Sequence, residues 1–119
     1  MFIVRYNFLA LNSPLITIDQ MSNADLKRIV RDLHATITRD INPDSIIDAL
    51  FAKKIISDDD NLELRTIATS RDRCRRLLAL LHVSTHPQTF VQFRDALTDE
   101  HMWIVDKIDR QLESSATGL

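Results

Sequence analysis

Thr69-Ser-Arg-Asp-Arg-Cys-Arg-Arg-Leu-Leu-Ala-Leu-Leu81 is the stretch on which the fold turns. Wound into a helix, Cys74, Leu77, Leu78 and Leu81 recur at i, i+3, i+4 and i+7 and form one apolar stripe. Arg71, Arg75 and Arg76 fall on the opposite arc, with Asp72 among them. The arginines crowd the first turns, where the helix dipole already presents positive charge and disfavours cations. Asp72 relieves part of that through an i, i+4 pair with Arg76. Arg71 and Arg75 have no such partner in the local sequence. Two uses are open for them: an ordinary solvated face, or a cationic surface that meets another molecule.

Outward from this helix the helical period persists. Upstream, Leu26, Ile29, Val30, Leu33 and Ile37 make a first amphipathic stripe, opened by Ser22 or Asn23 as cap. The β-branched run Thr36-Ile-Thr is a poor helix former and predicts a kink or weakening near His34. Asn42-Pro43 then breaks the pattern, and Pro43 suits the first turn of a second helix that buries Ile46, Ile47, Leu50 and Phe51. Ser57-Asp-Asp-Asp is a capping hydroxyl followed by first-turn carboxylates, so a short third helix follows with Leu62, Leu64 and Ile67 as its apolar face. Thr69 or Ser70 caps the arginine-rich fourth helix. Past His86-Pro87, Phe90, Phe93 and Leu97 mark a fifth. Thr98-Asp-Glu is expected to open a sixth, where Trp103, Ile104, Val105, Ile108 and Leu112 supply apolar surface. Without a convincing period-two stretch, an internal repeat or a linker, this predicts one all-α domain of six short helices.

Composition narrows the function classes. A length of 119 residues suits a single core, and 45% hydrophobic with 27% charged residues is a globular balance. A net charge of −2 lacks the basic excess of a dedicated nucleic-acid binder. One glycine, Gly118, leaves nothing from which to build a phosphate loop. Cys74, the single cysteine, allows no intrachain disulfide and fits a reducing cytosol. The apolar opening is interrupted by Asn7, Asn12 and Pro14 and carries only Arg5 as a base, so it matches neither a secretory signal nor a membrane span. Met21-Ser-Asn-Ala-Asp reads as a fresh start. Residues 1–20 are therefore expected to be an extension, as a leader or as an arm that docks on the domain or a partner. Residues 21–113 are the expected domain, and 114–119 a flexible tail. Left exposed, Phe2–Leu11 is an aggregation hazard.

The order of these signals resembles a caspase recruitment domain (CARD), a member of the death-fold superfamily. The resemblance runs from Leu26 to about Leu112. It is carried by Ile46-Ile-Asp-Ala-Leu-Phe-Ala-Lys-Lys-Ile-Ile-Ser-Asp58, by Ser70-Arg-Asp-Arg-Cys-Arg-Arg-Leu-Leu-Ala-Leu-Leu81, and by Pro87-Gln-Thr-Phe-Val-Gln-Phe-Arg-Asp-Ala-Leu97. It implies a six-helix antiparallel bundle with Greek-key connections. This chain departs from the family in having Lys54 and His86 where glycine is frequent, and in a shortened loop before the last helix. A left-handed backbone at either position would cost on the order of 1 kcal/mol.

The resemblance also implies a function: homotypic recognition, with a basic face on one domain meeting an acidic face on another. Carried over by position, the basic face is Lys27, Arg28 and Arg31 on the first helix with Arg71, Arg75 and Arg76 on the fourth. The acidic face is Asp44 and Asp48 on the second helix with Asp58, Asp59, Asp60 and Glu63 on the third. Residues 44–63 hold six acids against Lys53 and Lys54, a local balance of −4. Asp58 to Asp60 also have a simpler use, as first-turn carboxylates that stabilise their own helix. Opposed patches on one molecule suit a head-to-tail contact that need not close, so homo-oligomers or filaments are one expected outcome. The implied partner is another CARD-containing protein, an initiator caspase or a signalling scaffold, in apoptotic or inflammatory signalling. The expected place is the cytoplasm, with no membrane and no cofactor.

Competing chemistry has less behind it. A small helical nucleic-acid binder would use the arginines of the fourth helix on phosphates, against the balanced charge. An enzyme would need Cys74, which lies on an apolar stripe where a thiol is buried and inert; its neighbouring arginines are the one feature that would activate it. His34, His82, His86 and His101 show no metal-ligand spacing, since Pro87 ends the helix between His82 and His86. Trp103, within Met102-Trp-Ile-Val, is expected to pack.

Overall fold

A computed structural model describes residues 22–116. Its helices are α1 (Asn23–Asp32), α2 (His34–Asp40), α3 (Pro43–Ala52), α4 (Asp58–Arg65), α5 (Ser70–Val83), α6 (Thr89–Leu97) and α7 (Met102–Ala116). No strand occurs among the described residues. α1 and α2 are the two halves of the expected first helix, separated at Leu33, whose ψ of 13° leaves the helical range. The Leu33 N–H still donates to the Ile29 carbonyl at 3.0 Å, and its own carbonyl accepts from Ile37 at 2.9 Å. The chain therefore bends there without ending, and six expected helices appear as seven segments. The extension expected over residues 1–20, with its Phe2–Leu11 hazard, lies outside the described residues, as does Gly118.

Capping residues set the helix starts largely where the sequence placed them. Ser22, Ser57 and Thr69 each accept a backbone N–H three residues on, from Asp25, Asp60 and Asp72. Asn42 caps α3 through the Asp44 N–H, and Pro43 takes the first helical position. α6 has no side-chain cap of its own. Instead Asn23, at the start of α1, accepts the Phe90 N–H at 2.7 Å and satisfies a donor of α6 from 67 residues away.

The last helix does not open at Thr98, as expected; it opens at Met102. Thr98 is the C-cap of α6, and its hydroxyl turns back to the Asp95 carbonyl at 2.7 Å. His101 then bridges the two helices: its N–H donates to Leu97 at 2.8 Å, and its carbonyl accepts from Ile104. The His101 side chain is buried, and Nε2 accepts the Asn42 N–H at 3.2 Å.

α5 packs on α2, α3 and α4, while α1 packs on α6 and α7, and α3 also contacts α6. The predicted stripes converge on one core that includes Leu26, Ile29, Ile47, Leu50, Leu77, Leu78, Phe90, Phe93, Ile104 and Ile108. Three expected core residues are exposed instead. Phe51 is 39% exposed, Leu62 65% and Trp103 43%. Each sits at the margin of its stripe, where the sequence period is satisfied but no neighbouring helix arrives to cover it. Leu33 is half-buried against the core. One buried charge pair reinforces the packing: the Arg94 guanidinium of α6 forks onto the Asp109 carboxylate of α7 at 2.8 and 2.7 Å.

Candidate protein-interaction surface

The arginines of α5 occupy three different situations. Arg71 is exposed and makes no ion pair among the described residues. Arg75 pairs with Asp72 at 3.1 Å, one turn back. Arg76 does not reach Asp72, contrary to the i, i+4 expectation. It forks onto Glu63 of α4, with Nε at 2.7 Å and Nη2 at 3.3 Å. α4 packs alongside α5, and a two-pronged carboxylate bond outcompetes a single-pronged one along the helix. The Glu63 bond, its charge and, more weakly, Asp60 raise the Arg76 pKa above the ordinary guanidinium value.

α1 divides its charges between two lines. Lys27 and Arg31 stand about 40° apart around the axis, while Arg28 lies with Asp25 and Asp32 on another side. Arg28 contacts Asp25 at 3.6 Å. Lys27 and Arg31 make no ion pair among the described residues. Both approach the C-terminal end of α5. There burial first, then the charges of Arg31, Lys27 and His34, hold the half-buried His82 below its ordinary pKa. Its ring lies 5.0 Å from that of Phe90, and Nδ1 has no hydrogen-bond partner. Eleven residues separate His82 from Arg71, about three turns and roughly 16 Å along nearly the same line of α5. Lys27 and Arg31 of α1 thus lie near the C-terminal end of α5, and Arg71 stands at its opposite end.

The acids expected to form the second face are exposed or half-buried, but three of them already hold an arginine of the same chain. Asp44 pairs with Arg73 of α5 at 2.9 Å, and Arg73 donates again to the Ile67 carbonyl at 2.7 Å. Asp48 pairs with Arg65 of α4, and Glu63 with Arg76. Asp58, Asp59 and Asp60 form the first turn of α4 behind its Ser57 cap. Arg65 and Arg73 were not singled out by sequence. Arg65 lies 17 residues from Asp48, outside any local pattern. Arg73 did carry a signal: it precedes Leu77 by one turn, at the edge of the apolar stripe, where a cation needs an internal partner.

Cys74 is fully buried, and burial pushes its thiol up to about 12, with Arg75 opposing weakly. Its sulfur is 3.9 Å from the Ile37 carbonyl, between α5 and α2. His34 and His86 are exposed, and His86 accepts the Gln88 N–H at 3.0 Å. No group of three or more metal-ligating side chains occurs among the described residues. No described helix is long and apolar enough to cross a membrane.

Comparison with known proteins agrees with this architecture. A search of curated proteins and of solved structures finds no match. The family model of the caspase recruitment domain matches residues 27–111, from the second turn of α1 to the last turns of α7. That family is one of protein-interaction domains and not of catalysts, in keeping with a buried, inert thiol and charged helical faces. With most of the chain matched and the helical bundle in place, the protein belongs to the caspase recruitment domain family of the death-fold superfamily, and is a homotypic protein–protein interaction module of signalling.

Proposed function

We propose that this domain acts through its basic face, which receives the acidic face of a caspase recruitment domain on another protein, an initiator caspase or a signalling scaffold of apoptotic or inflammatory signalling in the cytoplasm. One observation carries the reading: exposed Arg31 and Arg71 and half-buried Lys27 have no acid paired to them among the described residues. A cation that has found no internal partner retains its full charge for an external one. Arg28, Arg75 and Arg76, each tied to a carboxylate of the chain, border the contact and set its register. Individual rim pairs contribute roughly 0–1 kcal/mol each, so charge steers the encounter, and apolar and shape complementarity hold the complex.

The test is direct binding of the full chain, immobilised, to purified caspase recruitment domains of initiator caspases and scaffolds at low and high salt. At least one should bind, more weakly as salt rises, with Arg71→Glu and Lys27→Glu each weakening it by about tenfold. If no domain binds, or if both charge reversals leave binding unchanged, the basic-face reading is wrong.

A further inference from the structure

Lys27, Arg31 and His34 recur at i, i+4 and i+7, which puts them on one line along α1 and α2. Two anchors bring that line to the C-terminal end of α5. At one end, Asn23 accepts the Phe90 N–H at 2.7 Å, and the Phe90 ring lies 5.0 Å from the ring of His82. Lys27 stands one turn along α1 from Asn23. At the other end, the Cys74 sulfur lies 3.9 Å from the Ile37 carbonyl, which seats α2 on α5 one turn along from His34.

The resulting cluster is of one sign. Neither Lys27 nor Arg31 makes an ion pair among the described residues. Asp25 and Asp32 lie on another side of α1. The first turn of α6, Thr89 to Gln92, carries no ionisable group, and His86 before it has its Nδ1 engaged by the Gln88 N–H. His82 Nδ1 has no hydrogen-bond partner, and no carboxylate pairs with the ring. Elsewhere the fold sets Arg65, Arg73 and Arg76 each on a carboxylate; here like charges are left to repel. His82 responds by resisting its own proton, through burial first and then through Arg31, Lys27 and His34.

We propose that Lys27, Arg31, His34 and His82 form a binding site for a compact polyphosphate anion, free in solution or carried as a lipid headgroup. Ammonium, guanidinium and imidazole donors drawn from three helices suit clustered phosphate oxygens, which accept charge-assisted bonds from several directions. Phe90 is buried and offers no face on which a nucleobase could stack, so the phosphates themselves are what is recognised. A bound anion neutralises Lys27 and Arg31, removes their share of the repulsion at His82 and favours the imidazolium. Binding therefore takes up a proton from solvent. The site shares Lys27 and Arg31 with the basic face but requires no protein partner.

Isothermal titration of the full chain with tripolyphosphate at low ionic strength tests this. The wild type should bind, and Lys27→Gln/Arg31→Gln should weaken binding by about tenfold or more. Lys107→Gln removes an exposed cation of α7 that is not among the charges acting on His82, and should leave binding unchanged. His82→Gln should bind more weakly than the wild type by a ratio that grows from pH 8 to pH 6; the anion's own protonation is common to both and cancels. Circular dichroism checks that the variants keep their helicity. An NMR titration of the His82 ring in the wild type needs no variant, and saturating tripolyphosphate should raise its midpoint. Flotation with phosphatidylcholine vesicles, with and without phosphatidylinositol bisphosphate, separates the sources. Flotation only with the charged vesicles, lost in the double variant, assigns the site to a headgroup; tripolyphosphate binding without flotation assigns it to a soluble anion. The proposal is overturned if neither probe binds, if Lys107→Gln weakens binding as much as the double variant, or if the His82 midpoint does not move. None of these results touches the basic-face reading, whose test is the binding of a protein.

Discussion

Lys54 holds a φ of 62°, the single left-handed non-glycine residue among those described. It closes α3 in a two-bond turn, with the Ile55 N–H donating to Leu50 and the Lys54 N–H to Phe51. A Cβ in this conformation costs about 1–2 kcal/mol, of which the greater flexibility of unfolded glycine returns part. Lys54→Gly should therefore stabilise the fold by about 0.5–1 kcal/mol, a rise of a few degrees in Tm on thermal unfolding; a lower Tm would mean the lysine contributes something else. His86, the other position where glycine was expected, is free of this strain. His82 makes the second residue-scale prediction. Its folded pKa lies below the ordinary 6.5, chiefly from burial and then from Arg31, Lys27 and His34. The native ring thus resists a proton that the unfolded chain accepts. The stability it contributes is complete above pH 6.5 and is lost as pH falls through the lowered folded value. Urea unfolding from pH 8 to 5 should show His82→Gln declining less on acidification than the wild type, and parallel profiles would refute the assignment.

Between elements, the buried Arg94–Asp109 fork ties α6 to α7, with Arg94 only 4% exposed. Removing one partner strands the other charge in the packed interface. Asp109→Ala should then destabilise the domain by about 3 kcal/mol, at the low end of such losses because the Asp109 side chain keeps some contact with solvent. Equilibrium denaturation reads this directly, and a change below about 1 kcal/mol would show that the pair is a surface ornament. The helices themselves were legible because caps and stripes are local: Ser57, Thr69 and the Cys74 stripe fall where the sequence placed them. Thr98 misled for a local reason as well. A threonine before two acids signals a helix start, yet its hydroxyl is taken by the preceding helix at Asp95.

Across the molecule, stripes from the helices merge into one core. A core shared in this way unfolds as a unit. Trp103 fluorescence and helical circular dichroism should therefore report one coincident urea transition. Separate transitions would mean that part of the bundle folds apart from the rest. The same shared packing explains the unburied Phe51, Leu62 and Trp103. Their spacing is right for a core face, but whether a neighbour covers that margin depends on where the other helices lie.

By itself the sequence determined that the described residues are helical, where most of the helices start, which residues make most of the buried stripes and which family the chain resembles. Those properties depend on repeats of three and four residues and on caps that act within one turn. The tertiary structure alone decided which charges remain available. Asp44 meets Arg73 across 29 residues, Asp48 meets Arg65 across 17 and Glu63 meets Arg76 across 13. Ion pairing depends on distance in space, and helix packing sets that distance between residues far apart in the chain. The six acids of residues 44–63 therefore look like an open surface in one dimension, while in three dimensions Asp44, Asp48 and Glu63 are already answered.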